Sequence, residues 1–324
     1  MTAPSQHTVG SEFDAHSTAA DVLREVDLTG TLAIVTGGYS GLGRETTRAL
    51  AGAGAHVIVP ARRRDAAERA LEGIAGVEVD SLDLTDPHSV RAFAARVLDS
   101  GRPLDILVNN AGIMACPETR VGPGWEAQLA VNHVGHFALT NHLWPALARR
   151  GARVVSVSSA GHHLSDIRWD DPWFTRGYDR WLAYGQAKTA NALFAVHLDA
   201  LGRDAGVRAF ALHPGAILTS LQRHLTRQEM IDQEWIDEAG APAARFKTPE
   251  QGAATQVWAA TSPRLAGLGG LYCENCDVAE MFPEGAVPMS GGVRDYAVDP
   301  DQAARLWALT AEWAGVDAFA TGAA

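Results

Sequence analysis

The sequence predicts an α/β fold built on a doubly wound, mostly parallel sheet, in a single domain. Short runs rich in Val, Ile and Leu alternate along the chain with segments of helical periodicity. The runs are apolar throughout, which is typical of parallel strands that helices cover on both faces. Seven such runs are present, so we expect a seven-stranded sheet.

The order of the elements supports this prediction. The strands are expected at residues 31–37, 55–62, 77–84, 104–112, 152–161, 207–215 and 267–275. The intervening helices are expected at 41–54 and 64–75 and, further on, from near Pro87, Gly124 and Trp181.

Residues 30–315 should form the domain, with an N-terminal arm at 1–29 and a C-terminal tail at 316–324. The least regular segments, about 160–180, 216–247 and 274–300, follow predicted strands. Because open α/β sheets bind ligands at the carboxyl ends of their strands, we expect substrate loops there.

Composition excludes several classes of protein. The net charge of −11 argues against nucleic acid as a partner. No apolar run reaches the ~18 residues of a membrane-spanning helix. Three cysteines and no signal-peptide pattern favour a reducing, cytoplasmic setting. Cys273 and Cys276 have CxxC spacing without a second pair, so we expect packed thiols and no metal site.

The glycine-rich turn after the first strand indicates a nucleotide site. "TGGYSGLG" places Gly37, Gly41 and Gly43 between a strand and a helix. Glycines let the backbone approach a pyrophosphate, and the helix N-terminus offers it free N–H groups. The alternative is an ordinary turn, because the spacing is GxxxGxG and not GxGxxG. The strand–turn–helix context favours a dinucleotide-binding Rossmann domain.

The end of the second strand distinguishes the two nicotinamide dinucleotides. An NAD site has an acidic residue there, whereas this chain has "VPARRRD", with Arg62 directly after Ala61. An arginine at this place favours the 2′-phosphate of NADP(H) over NAD(H). Ser40 could add a hydroxyl to that phosphate, and Asp83 could accept from the adenine amine. The alternatives are solvated arginines and, for Asp83, a turn cap.

A tyrosine and a lysine four residues apart indicate acid–base chemistry. Tyr184 and Lys188 share one helix face, and Lys188 is one of only two lysines in the chain. A nearby ammonium favours the phenolate and could contact a ribose. Ser159 ends the fifth strand, where its hydroxyl could polarise a carbonyl. Asn132, within an apolar helix, could bind a water that relays protons to Lys188. The structural alternatives are an exposed i,i+4 pair on a solvated helix for Tyr184 and Lys188, and a polar cap at the strand end for Ser159.

These motifs together resemble the short-chain dehydrogenase/reductases. "TGGYSGLG", "NNAG", Ser159, "YGQAK" and "HPG" follow in that family's order. "VNHVGHF", "SVSSAGHH" and the 25-residue step from Ser159 to Tyr184 are similar to the retinol dehydrogenase and WW-domain oxidoreductase branch, without its WW domains. The resemblance covers residues 17–313, and "GGY" replaces the more usual small polar pair after the first glycine.

The resemblance implies roles for particular residues. Tyr184 would be the acid/base, Lys188 would orient ribose and lower the tyrosine pKa, Ser159 would hold the carbonyl, and Asn132 would complete the relay. The implied cofactor contacts, besides Tyr184 and Lys188, are Gly37, Tyr39, Ser40, Gly41, Leu42, Gly43, Arg62, Asp83, Leu84, Asn110, Ala111, Gly112, Pro214, Gly215, Ile217 and Thr219.

The expected function is hydride transfer between NADP(H) and an alcohol or carbonyl group of a bulky lipophilic substrate. The expected substrate wall contains Met114, His162, His163, Trp169, Trp173, Phe174, Trp235, Phe246 and Met281. Loop packing explains the same residues equally well. A homodimer or homotetramer that pairs through the Tyr184 helix is expected from the resemblance. The alternatives are a non-catalytic NADP-binding sensor or scaffold, and an epimerase or dehydratase.

Overall fold

The strands of the main sheet follow the predicted alternation. A computed structural model describes residues 6–320. Its strands are β1 Leu32–Val35, β2 His56–Ala61, β3 Val77–Ser81, β4 Ile106–Asn109, β5 Arg120–Val121, β6 Trp125–Glu126, β7 Ala152–Val157, β8 Val207–His213, β9 Ala216–Ile217, β10 Phe246–Lys247, β11 Leu271–Glu274 and β12 Asp277–Val278. The main sheet has the order β12-β11-β8-β7-β4-β1-β2-β3.

The predicted doubly wound α/β fold is confirmed. Seven strands are parallel, and β12 adds an eighth, antiparallel strand through a tight turn after β11. Two residues are too short to show as an apolar run, so the sequence did not reveal β12. The chain order reverses between β1 and β4, which pair in register at Ile34 and Leu107. That switch point is where open sheets bind dinucleotides.

Helices cover both faces of the sheet. They are α1 Ala19–Val22, α2 Gly41–Gly52, α3 Arg64–Leu71, α4 Pro87–Asp99, α5 Ala127–Leu129, α6 Gly135–Leu147, α7 Arg180–Gly202, α8 Arg227–Asp232, α9 Pro249–Thr261 and α10 Pro300–Ala314. One apolar core lies between the sheet and α4, α6, α7 and α10, and the other between the sheet and α1, α2 and α9. Within residues 6–320, no helix combines the length and apolar character needed to cross a membrane.

The helix expected from Gly124 begins later, at α5. A small hairpin of β5 and β6 precedes it. The buried Glu126 carboxylate then accepts hydrogen bonds from the backbone N–H groups of Gln128 and Leu129 at 2.9 and 2.7 Å. This side-chain cap starts the helix, as expected for a carboxylate beside unpaired N–H groups.

The chain ends pack against the domain. Backbone N–H groups of Val9 and Ser11 donate to the Asp277 carboxylate at 2.7 and 3.0 Å. At the other end, the Phe319 ring lies 4.4 Å from the ring of Trp144. The last four residues of the predicted tail, 321–324, lie outside the described part, as do residues 1–5 of the arm.

Helix α10 covers the outer face of α7. The Trp307 ring stacks on Phe194 of α7, with centroids 5.8 Å apart and planes 6° from parallel. It also meets Phe137 of α6 at 4.6 Å. The α7 helix is therefore buried within one chain, and pairing of two chains through this face would require α10 to move. Homo-oligomerisation stays a prediction, and this face of α7 is covered by α10 in the structure.

Candidate active site

A large cavity opens at the carboxyl ends of β1, β2, β4, β7 and β8. Its volume is about 1250 Å³. Every residue expected to contact the cofactor lines it, and so do Ser159, Tyr184 and Lys188. Asn132 lies behind the wall, beside Gly112. The topology therefore brings together motifs that are up to 182 residues apart, from Gly37 to Thr219.

The glycine turn is packed so tightly that a side chain at Gly43 has no room. A Cβ atom added to Gly43 would lie 2.4 Å from the Gly37 carbonyl oxygen and 2.5 Å from Asn110 Nδ2. Gly37 and Gly41 have φ angles of +64° and +50°, in the left-handed region that favours glycine. Ser40 precedes α2 without capping it through its side chain. The first N–H groups of α2 thus face the cavity as free donors, which fits a pyrophosphate.

The β1 and β4 turns are joined at the switch point. Asn110 Nδ2 donates to the Thr36 carbonyl at 2.8 Å, and the N–H groups of Asn110 and Ala111 donate to Thr36 Oγ1, each at 2.9 Å. These bonds hold the two turns that would flank a dinucleotide. Thr36 was not expected to have a role, although its place directly before the first glycine could have indicated one.

Positive charge lies at the end of β2. Arg62 and Arg63 are exposed and line the cavity. Among the described residues neither has an ion-pair partner, whereas Arg64 binds Glu68 at 2.8 Å and lies outside the cavity lining. These two guanidinium groups and the Ser40 hydroxyl line the same cavity, and guanidinium groups are strong donors to anions such as phosphate.

Asp83 has a local hydrogen-bonding role in addition to lining the cavity. Its Oδ1 accepts from the N–H and hydroxyl of Thr85 at 2.9 and 2.7 Å. Neighbouring Leu84 packs so closely on the start of α6 that a Cβ on Gly135 would lie 2.3 Å from the Leu84 carbonyl oxygen. The turn-cap alternative for Asp83 thus applies, while contact with adenine stays a prediction.

Tyr184 and Lys188 lie on the buried face of α7, 4% exposed each. Burial raises the pKa of Tyr184 to about 12, while the neighbouring Ser159 hydroxyl acts in the opposite direction. Burial lowers the pKa of Lys188 to about 7. Lys188 Nζ lies 5.6 Å from the tyrosine ring centroid and donates to the Val157 carbonyl at 2.9 Å. Burial is thus the main influence on the tyrosine pKa, and the expectation that Lys188 lowers this pKa stays a prediction.

The two serines after β7 differ in what their hydroxyls bind. Ser158 is buried, and its hydroxyl donates to the Lys188 carbonyl at 2.7 Å. Ser159 Oγ accepts from the Gly161 N–H at 3.0 Å, so its own O–H can donate elsewhere. A Cβ added to Gly161 would lie 2.7 Å from Tyr184 Cε1 and 3.3 Å from Ser159 Oγ. The serine hydroxyl and the tyrosine ring thus flank the same glycine.

Asn132 lies in a π-helical turn, Ala130–Val134, between α5 and α6. Its Nδ2 donates to the Ile113 carbonyl and its Oδ1 accepts from the Ile113 N–H, each at 2.9 Å. A Cβ added to Gly112 would lie 3.2 Å from Asn132 Oδ1 and 3.7 Å from Lys188 Nζ. Both side chains therefore border Gly112. π-turns occur frequently at functional sites.

The segment after β8 closes one side of the cavity. Pro214, Gly215, Ile217 and Thr219 line it as expected. His213 also lines the cavity, and its Nδ1 atom accepts a hydrogen bond of 3.0 Å from the Ala160 N–H. Sequence reasoning noted His213 only as part of "HPG", yet it joins the end of β8 to the turn after Ser159.

Comparisons with known proteins show the family of this chain. The model of the short chain dehydrogenase family matches residues 31–230. The chain belongs to the short-chain dehydrogenases. A "Probable oxidoreductase" of Streptomyces lividans is 47% identical over 89% of this chain and 98% of its own length. Mouse retinol dehydrogenase 11 is 36% identical over 80% of this chain and 82% of its own length.

Solved structures show the same fold. A protein of Mycobacterium paratuberculosis superimposes with a TM-score of 0.70 at 34% identity, over 93% of this chain and 98% of that one. The Pseudomonas aeruginosa RhlG/NADP active-site complex has a TM-score of 0.59 at 27% identity, over 76% and 94%. This short-chain dehydrogenase is therefore an NAD(P)-dependent oxidoreductase that resembles the retinol dehydrogenase branch.

The substrate end of this dehydrogenase differs from the wall that we expected. Met114, Trp235 and Phe246 do line the cavity. The other residues expected in the wall do not: His162, His163, Trp169, Trp173, Phe174 and Met281. Trp173 stacks on Trp125 at 5.8 Å, and Phe174 is fully buried. The segment after residue 164 turns away because its aromatic side chains pack into the body of the protein.

Further apolar residues supply the wall instead. Trp181, at the start of α7, lies edge-on to Trp235 at 6.1 Å, and both border the cavity. Leu221 lines it too and packs on a small cluster with Met114 and Tyr184. The aromatic and apolar pattern within 216–247 indicated this wall in part.

The cysteines are packed side chains. Cys116, Cys273 and Cys276 are all buried, and burial raises the pKa of the Cys276 thiol to about 11. The described residues contain no group of three His, Cys, Asp or Glu side chains placed to hold a metal ion.

Proposed function

We propose that this short-chain dehydrogenase uses NADP(H) to interconvert a carbonyl group and an alcohol on a bulky, lipophilic substrate. The observation that carries the proposal is that Ser159 and Tyr184 line one cavity together with Arg62 and Arg63, unpaired among the described residues, and with a cluster of apolar side chains. When bound, the nicotinamide supplies or accepts the hydride.

The protein's own groups account for the proton. Burial keeps Tyr184 protonated at neutral pH, which is the state that gives a proton to a carbonyl oxygen. The Ser159 hydroxyl donates a hydrogen bond to that same oxygen and holds it beside the phenol. Lys188, with a pKa of about 7, can gain and lose a proton near neutral pH. A water between Asn132 and Lys188 would connect this lysine to the protein interior.

The preference for NADP(H) rests on Arg62 and Arg63. Both guanidinium groups border the cavity without ion-pair partners among the described residues, and a 2′-phosphate supplies the missing negative charge. The RhlG relative is described in complex with NADP. The Arg62→Asp variant should lose NADPH affinity by about 10- to 100-fold, as for a charge-assisted hydrogen bond, and gain NADH affinity.

Arg64→Asp is the matched control for the cofactor experiment. Arg64 lies two residues after Arg62, forms an ion pair with Glu68 and does not border the cavity. Tryptophan fluorescence titration of both variants with NADPH and NADH measures the preference. Equal affinities of the wild type for both dinucleotides would refute the assignment of NADP(H).

The lipophilic substrate is supported by the apolar end of the cavity, lined by Met114, Trp181, Leu221, Trp235 and Phe246. Relatives named retinol dehydrogenase point to the same class. A panel of aliphatic, aromatic and polycyclic ketones and aldehydes, assayed by NADPH oxidation, tests this. We expect kcat/KM to rise with apolar size. Preference for small polar carbonyl compounds would contradict it.

A further inference from the structure

One loop reaches the cavity from β12, the strand at one edge of the sheet. It spans residues 280–292, and backbone bonds close its base: Phe282 N–H donates to the Val293 carbonyl at 2.8 Å, and Val293 N–H donates to the Glu280 carbonyl at 3.0 Å. Its tip, residues 283–290, places Val287 through Ser290 in the cavity wall. We call this segment the 280–292 loop.

The tip is held to the body of the protein by one histidine. Met289 N–H donates to His163 Nδ1 at 2.8 Å. Among the described residues this is the only hydrogen bond between residues 283–290 and the rest of the chain. His163 Nε2 lies 3.0 Å from the Gly292 carbonyl oxygen. The ring therefore carries its proton on Nε2, donates it to Gly292 and accepts from Met289.

The loop is held in a conformation that its residues do not favour. Met289 has a φ of +68°, which costs a non-glycine residue about 1–3 kcal/mol. Gly291 and Gly292 follow with φ angles of +111° and +78°. Such strain persists only where surrounding contacts impose it. His163 supplies this contact at Met289, while the Gly292 N–H also donates to the Glu274 carboxylate at 2.9 Å. The tip also exposes apolar side chains, since Val287 is 73% and Met289 47% exposed.

His163 sits within the same turn as the catalytic serine. Ser159 caps the 3₁₀ turn Ala160–Leu164, which carries the histidine. His162, the residue before His163, forms a hydrogen bond of 2.7 Å between its Nδ1 atom and the Ser159 carbonyl oxygen. The Phe282 ring packs on the opposite side of His163, with centroids 4.6 Å apart. A single rigid turn thus sets both the carbonyl-binding hydroxyl and the position of the loop.

We propose that His163 is a positioning residue that latches the 280–292 loop over the substrate end of the cavity. Val287 and Met289, apolar and exposed at the mouth, would then cover the part of a bulky substrate that projects beyond Ser159 and Tyr184. The latch acts on substrate binding and not on proton transfer. The proposal rests on the proposed function for the substrate, whereas the latch itself does not depend on it.

The test uses His163→Leu, which removes both ring nitrogens. In His163→Asn, an amide oxygen can take the place of Nδ1 and keep the Met289 bond. His88→Leu is the matched control, because His88 is exposed on α4 and far from the loop in sequence. Digestion with a glutamate-specific protease reports opening of the loop, since Glu284 lies in its exposed tip. This readout needs no substrate.

In His163→Leu, we expect cleavage after Glu284 to be about three- to tenfold faster, as loss of one hydrogen bond implies. The KM for a polycyclic ketone should rise by a similar factor, while kcat and the kinetics with a small ketone stay within twofold. His163→Asn should restore both, and His88→Leu should match the wild type. If the leucine variant fails to fold, His163→Gln, which can replace only Nε2, takes its place.

Unchanged cleavage in the leucine variant would overturn the latch. Faster cleavage with an unchanged KM for the polycyclic ketone would show that the loop does not cover the substrate, and would overturn the proposal as well. The proposal would also be overturned if His163→Leu lowered only kcat and His163→Asn did not restore it. A wild type that reduces no ketone would refute the proposed function, and the proteolysis would still decide the latch.

Discussion

Replacing Lys188 by methionine should stabilise the protein while abolishing the proton transfer that depends on Tyr184. Lys188 is 4% exposed, and burial lowers its pKa to about 7 from an ordinary value of 10.5. One pKa unit corresponds to about 1.36 kcal/mol, so keeping the ammonium in the folded state costs about 5 kcal/mol. Methionine has a similar length and no charge. Its loss of the Val157 hydrogen bond costs little, because Asn191 Nδ2 also donates to that carbonyl at 3.0 Å.

The pH dependence gives the prediction its sign. Between pH 7 and 10.5 the unfolded chain binds a proton on Lys188 that the folded chain does not, so wild-type stability rises with pH over this window. We expect Lys188→Met to be more stable by about 2–5 kcal/mol at pH 6. Relative to the variant, the wild type should gain up to about 1.36 kcal/mol per pH unit above pH 7.

Urea denaturation of the cofactor-free protein from pH 6 to pH 9.5 measures this difference. Lys247→Met is the control, since Lys247 is the only other lysine, is partly exposed and binds Asn275 Oδ1 at 2.8 Å. Burial lowers the pKa of Lys247 as well, so its replacement should change the free energy of unfolding with the same sign but by less, because this side chain is partly exposed. A less stable Lys188→Met, or a difference that does not change with pH, would refute the assignment of a buried, destabilising lysine.

Two further variants test the cofactor and carbonyl sites. Gly43→Ala places a methyl group 2.4 Å from the Gly37 carbonyl oxygen, so NADPH affinity should fall at least about tenfold. The control Gly52→Ala, with nothing within 4 Å of the added atom, should bind normally; fluorescence titration compares the two. Ser159→Ala should lower kcat/KM by about 100- to 1000-fold without changing NADPH affinity. Steady-state kinetics measures this ratio, and a loss of less than tenfold in kcat/KM would contradict the prediction.

The sheet and the cofactor end could be predicted because their signals are local. Apolar runs mark the strands. Gly37, Gly41 and Gly43 mark a turn that has positive φ angles at the first two and no room for a Cβ atom at the third. The placement of Arg62 and Ser40 follows from the topology, since both lie at carboxyl ends of adjacent strands, β1 and β2. The sheet brings together residues close to the carboxyl ends of adjacent strands, and the conformation of the loops does not change this.

The substrate end could not be predicted in the same way, because its contacts join distant segments. Trp173 lies within 11 residues of Tyr184, yet it stacks on Trp125 and packs 4.7 Å from Trp313, away from the cavity. No spacing in the sequence marks those partners. The same holds for His163 and Met289, which meet across 126 residues. The raised pKa of Tyr184 likewise reflects burial, which its spacing from Lys188 does not reveal.

The central claim is that Tyr184 supplies the proton, and Tyr184→Phe tests it most directly. This variant keeps the buried ring and loses only the hydroxyl. Single-turnover oxidation of bound NADPH by an accepted ketone should slow by about 100- to 10,000-fold, with NADPH affinity within threefold of the wild type. The control Tyr178→Phe, whose ring lies outside the cavity lining, should react at the wild-type rate. Hydride transfer at the wild-type rate in Tyr184→Phe would contradict the claim.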